Sequence, residues 1–95
     1  MKEAGLKYDI GKARLDLIPA KAEIELGNVL TFGANKYAEN SWQNVDDAIN
    51  RYTAAAMRHI NAMRQGETHD LESGLLHSAH AACNMMFVTE LINQG

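Results

Sequence analysis

Apolar residues fall into three runs along the chain. Behind Pro19, which suits a first helical turn because its missing N–H costs nothing there, Ile24, Leu26, Val29, Leu30 and Phe32 recur at a near-helical spacing. This predicts a first helix over residues 19–38. Gly27 and Gly33 are its weak points, each costing about 1 kcal/mol against alanine unless a backbone or ligand must approach closely. Ile49, Tyr52, Ala56, Ile60 and Met63 make a second stripe, predicting a helix over 45–65 with Asn44 or Asp46 as its cap and Gly66 as its stop. A third run predicts a last helix over 71–92. Between the first two lies the polar turn ENSWQN, with the only tryptophan, Trp42; between the last two lies the acidic link ETHDLE. Residues 1–18 carry no steady period, contain Lys7, Lys12 and Arg14, and read as an irregular basic arm.

The pattern predicts an all-α domain spanning 1–95, since a chain of 95 residues buries only somewhat more than about 60% of its unfolded surface and supports one core. A composition 46% hydrophobic and 22% charged is that of a folding domain. Three helices and an arm make a thin core, so the apolar faces are expected to be completed by oligomerisation, most simply as a two-fold dimer. The net charge of −3 argues against duplex nucleic acid as a partner. No signal peptide or membrane-length apolar run is present, so no membrane association and a cytoplasmic location are expected. Cys83, the single cysteine, reads as a small buried hydrophobe.

The last helix breaks the ordinary pattern of a solvent face. Ser73, His77, His80 and Asn84 are spaced by three, four and seven and share one stripe, opposite Leu75, Ala79, Ala82, Cys83, Met86 and Leu91. Solvent faces are usually lysine and glutamate, whereas imidazoles and a carboxamide suit directed hydrogen bonds. The second helix offers Arg51, Arg58 and His59; the two arginines lie seven apart, on one side, as anion clamps or as partners of the acidic link and of Asp46 and Asp47. In the arm, Lys12 and Arg14 follow Gly11 and suggest phosphate, without matching a Walker loop. Lys36, Tyr37, Asn40 and Trp42 can stack on a base and bond its edge, although Trp42 equally suits the core. Glu67, Asp70 and Glu72 stand near His59, His69, His77 and His80 in sequence. An oxygen-rich choice among them suits Mg2+ or Mn2+, a nitrogen-rich choice zinc or a heavier ion.

Three segments in order, KYDIGKARLDLIP, VLTFGANKYAENSW and AAAMRHINAMRQGETHDLESGLLHSAHAACNMMF, resemble the largely bacteriophage-borne family of dATP/dGTP diphosphohydrolase-like proteins, N-terminal domain. The likeness runs from about Lys7 to Leu91. It implies a helical, nucleotide-directed protein, distantly akin to the all-α (MazG-type) nucleotide pyrophosphohydrolases, which release pyrophosphate from a nucleoside triphosphate with a divalent metal. The implied substrate contacts are Lys12, Arg14, Lys36, Asn40, Trp42, Arg58, His59 and Asn84. Catalysis falls to Asp70, His77 and His80, and metal binding to Glu67 and Asp70. The chain departs from the MazG type, which grips Mg2+ through EExxE and ExxD: Glu23 and Glu25 are two apart and point to different helix faces, and the last helix carries HxxH instead.

Two functions follow. One is a purine deoxynucleoside triphosphate pyrophosphohydrolase using Mg2+ or Mn2+, with His77 or His80 moving the proton. The other is a sponge without turnover, needing no cofactor, that sequesters a cyclic or ADP-ribose-derived immune signal as an anti-defence protein. A helical interaction module, whose polar strip only bonds a partner subunit, is the plainest alternative.

Overall fold

The computed structural model describes residues 10–95. Three helices carry the fold: α1 (Ala20–Lys36), α2 (Ala48–Arg64) and α3 (His77–Gln94). Single 3-10 turns at Leu15–Leu17 and Ser41–Asn44 precede the first two. Among the described residues there is no strand, only an isolated bridge between His69 and Leu76, so the expected all-α class holds. The first part of the expected arm, with Lys7, lies outside the described residues.

α3 is the central element: it packs along α2 and against α1, while α1 and α2 scarcely meet. This explains its burial. Ala79 and Cys83 are buried together with Val29 of α1, flanked by Leu26, Leu75, Leu76 and Phe87. Ala81, Val88 and His77, at other angles around α3, are buried as well. One apolar stripe was expected for this helix, but a helix with neighbours on two sides is covered on both, and Ala82 and Met86 of the expected stripe are exposed. Small side chains at Ala56, Ala79 and Cys83 let the helix axes approach closely. Ile24, Ile49, Met57, Ile60 and Ile92 keep large exposed fractions in the single chain.

Helix starts differ from the sequence pattern, and each difference has a local cause. α2 begins at Ala48, not residue 45, because Asp47 takes a left-handed conformation (φ 53°) ahead of it, with Val45 extended. α3 begins at His77, not residue 71. Asp70 folds the link back on itself: its carboxylate accepts the N–H groups of Glu72 (3.1 Å) and Ser73 (2.8 Å), and its own N–H donates to the Leu75 carbonyl at 2.8 Å. Gly74, at φ 73°, turns the chain where a helix cannot continue. His77 then donates its N–H to the Thr68 carbonyl at 3.0 Å, which ties the start of α3 to the link.

Candidate functional site

Because α1 and α2 diverge across α3, a groove of about 1140 Å³ opens between them. The end of α1 and the turn after it contribute Lys36, Asn40 and Trp42. Arg51, Arg58 and His59 come from α2, Asp70 from the link, and His80, Asn84 and Phe87 from α3. Thus most substrate-binding candidates from the sequence share one cavity. Lys12 and Arg14 do not line it. Both are exposed, and Arg14 forks onto Asp16 two residues away, at 2.9 and 2.7 Å. Among the described residues no carboxylate pairs with Arg51 or Arg58, so the expected alternative of pairing with the acidic link or with Asp46 and Asp47 is not realised there.

At one end of the groove the histidines converge. His59 Nδ1 lies 2.8 Å from His77 Nδ1, and the ring of His59 stacks on that of His80, centroids 4.6 Å apart and 9° from parallel. His77 is only 4% exposed; its Nε2 is 2.6 Å from Glu67 Oε1. Because a carboxylate only accepts, Nε2 carries a proton, and in the neutral imidazole Nδ1 then presents its lone pair towards His59. His80 Nε2 is 2.7 Å from Ser73 Oγ, and that hydroxyl oxygen accepts the Leu75 N–H. Burial, with the neighbouring imidazoles His80 and His77, pushes the His59 pKa below its ordinary value; burial does the same to His80. Both are therefore neutral at pH 7. Burial raises the Asp70 pKa, but hydrogen bonds from Ser73 and the nearby imidazoles outweigh it and keep the carboxyl ionised. His59, Asp70 and His77 each bring one donor atom within 4.8 Å of the others'.

The far end is aromatic. Trp42 stacks on Phe87, centroids 4.5 Å apart and 11° from parallel, and Tyr52 donates its hydroxyl to the Trp42 carbonyl at 2.7 Å. Asn84 donates to the His80 carbonyl at 2.9 Å. Lys36 pairs with Glu72 and lies over the Tyr37 ring, 5.1 Å from its centroid; the Glu72 bond raises its pKa and holds it charged.

Over residues 2–95 the chain matches the family described as "dATP/dGTP diphosphohydrolase, N-terminal". It belongs to that family. A relative from Salmonella phage PMBT28, named dATP/dGTP diphosphohydrolase, is 40% identical over 89 residues, which cover 94% of this chain and 30% of the relative. The chain thus spans about a third of the length of that relative. No solved structure matches it.

In this family member, three features of the site go beyond the sequence pattern. Ser73, expected on the helical strip, lies in the link and meets His80 through the Asp70 turn; Gly74 in the sequence is the signal that the helix has not begun. Glu67, expected at a metal, has one carboxylate oxygen 2.6 Å from His77 Nε2. Phe87, three residues beyond Asn84, continues the His80–Asn84 strip and was legible from that spacing. No described helix is long and apolar enough to cross a membrane.

Proposed function

We propose that the groove binds a purine deoxynucleoside triphosphate and that the chain is the nucleotide-holding part of a phosphoanhydride hydrolase that releases pyrophosphate. The observation that carries this reading is the meeting, in one groove, of cationic Lys36 and Arg58 with the His59–Asp70–His80 group. A phage relative named for dATP/dGTP diphosphohydrolase supports the substrate class. The groove is at the large end of small-molecule sites, which are about 300–1000 Å³. Arg58 forks onto phosphate oxygens, as a planar guanidinium does best, and Lys36 adds a point charge. The aromatic end around Trp42 takes the base, with Asn40 bonding its edge. Asp70 and His80 face the phosphates.

The residues at the histidine end fit a divalent ion that accepts mixed nitrogen and oxygen donors; when bound, it would polarise the phosphoryl group and lower the pKa of a water. Everything else falls to the chain. Water attacks phosphorus, the phosphoanhydride P–O bond breaks, pyrophosphate leaves, and the proton from water passes to neutral His80. His77 is less suited to move a proton, because both its nitrogens are engaged. A second reading is favoured by the few carboxylates left open at the histidine end, where Asp70 stands among three imidazoles while Glu67 bonds His77 and Glu72 pairs with Lys36: the groove captures a cyclic or ADP-ribose-derived nucleotide intact. In either case we propose that a second copy of the chain covers the apolar side chains left exposed on α2, which light scattering coupled to size exclusion tests as a mass of two or more chains.

Purified protein incubated with dATP, dGTP and a panel of cyclic nucleotides, with and without Mn2+, then denatured and chromatographed, separates these readings. Monophosphate and pyrophosphate formed only with metal support hydrolysis. Intact nucleotide released only on denaturation supports capture. Neither retention nor turnover of any nucleotide overturns both.

A further inference from the structure

We propose that His59, Asp70 and His77 form a three-ligand site for a first-row divalent transition ion, in preference to Mg2+, and that Glu67 is the positioning residue that orients His77. The inference deepens the hydrolase reading, on which any use of the ion in turnover rests; binding of the ion is tested apart from it.

Three observations carry it. First, the two Nδ1 atoms face each other at 2.8 Å, and ligands bound side by side on one ion at about 2.1 Å stand about 3.0 Å apart at right angles or about 3.4 Å apart tetrahedrally, so the pair need open by only a few tenths of an ångström. Second, one donor atom each of His59, Asp70 and His77 falls within 4.8 Å of the others', on three different segments: α2, the link and the start of α3. Third, His77 is almost wholly buried, and its outer nitrogen is held by Glu67 at 2.6 Å. A ligating histidine commonly hands its other N–H to a carboxylate, which fixes the tautomer and the ring angle. Glu67, by occupying Nε2, leaves His77 Nδ1 as the bare donor that the cluster needs.

The donor set decides the class of ion. Two imidazoles and one carboxylate suit zinc, cobalt, manganese or iron, whereas Mg2+ takes oxygen ligands and sheds its waters reluctantly. His59 and Asp70 also line the groove whereas the buried His77 does not, so an ion held by the three would be reached from the groove, where the phosphates are proposed to lie.

The test titrates chelator-stripped full chain with Co2+, Zn2+ and Mg2+, following the cobalt visible spectrum and calorimetric heat. The expected result is one Co2+ per chain, displaced by Zn2+ and unaffected by millimolar Mg2+. His59→Asn should weaken Co2+ binding at least 100-fold. Glu67→Gln should weaken it about 10- to 100-fold while stoichiometry and circular dichroism stay unchanged. His77→Asn is read only alongside its own melting curve, since burial makes its folding vulnerable, and His59→Asn on the groove side keeps the claim testable. Absence of Co2+ and Zn2+ binding, unchanged affinity in His59→Asn, or competition by Mg2+ would overturn the site. Should the ion bind while no nucleotide is retained or hydrolysed, the hydrolase reading fails and the site stands. Should nucleotide be hydrolysed with affinity for Co2+ absent, the site fails and the reading stands.

Discussion

The histidine end of the groove and the leader before α1 are both rich in residues that can handle phosphate, and the structure treats them oppositely. Arg14 is exposed and satisfied by Asp16 two residues away, a pairing any short segment can make and one worth little in water. His59, Asp70, His77 and His80 come from three segments and are partly or wholly buried; His59 meets His77 at hydrogen-bond distance and stacks on His80, and Asp70 brings a carboxylate oxygen within 4.8 Å of donor atoms of His59 and His77. The contrast shows that residue type nominates a site, while convergence from distant segments, with some exclusion of water, is what builds one.

Disabling each region in turn tests the contrast most strongly. Asp70→Asn should lower pyrophosphate release about 100-fold or more, whereas Lys12→Ala and Arg14→Ala should each change it less than about threefold; equal losses would erase the distinction. Burial next to the centre has a chemical consequence as well. Cys83 is 2% exposed and its pKa is pushed up by burial to about 11, against an ordinary value of 9.0. At pH 8 its thiolate fraction is therefore about a hundredfold lower, and alkylation should appear only when denaturant unfolds the chain. Reaction of folded protein at the rate of an exposed thiol would contradict the packing described.

Smaller effects sharpen the picture. Arg58→Ala should weaken nucleotide binding by about tenfold or more, since a hydrogen bond to a charged group contributes about 1.5–3 kcal/mol, while Arg14→Ala stays within about twofold by calorimetry. Ala56→Leu, forcing bulk between α2 and α3, should cost about 1–3 kcal/mol in urea unfolding. At the low end, Gly27→Ala should stabilise by about 0.5–1 kcal/mol. A Cβ there meets no heavy atom within 4 Å, so this glycine gives α1 no close contact in return for its cost.

Much of the fold was legible because Ile24 to Phe32, Ile49 to Met63 and the run through Leu91 each repeat at a helical spacing, which is a local property. The start of α3 was not, because it depends on Asp70 capturing the N–H groups of Glu72 and Ser73, and a carboxylate can equally begin a helix. The strip His77, His80 and Asn84 was visible in the sequence. That His77 would be the most buried polar side chain among the described residues was not, since nothing local says that α3 is covered on two sides. Likewise Trp42 was a reader of bases or a core plug on composition alone, and the structure places it against Phe87 while leaving it on the groove wall.

That placement supplies the most direct test of the claim that nucleotide occupies the groove between α1 and α2. Trp42 is the only tryptophan in the chain and lines the groove, so its fluorescence, excited above the absorption of purines, reports occupancy by itself. Titration with dATP or dGTP should change the emission saturably, with the same midpoint in Arg14→Ala and a midpoint shifted to higher concentration in Arg58→Ala. An emission unmoved by any nucleotide that the protein demonstrably retains, or a midpoint that moves with Arg14 and not with Arg58, would contradict the account.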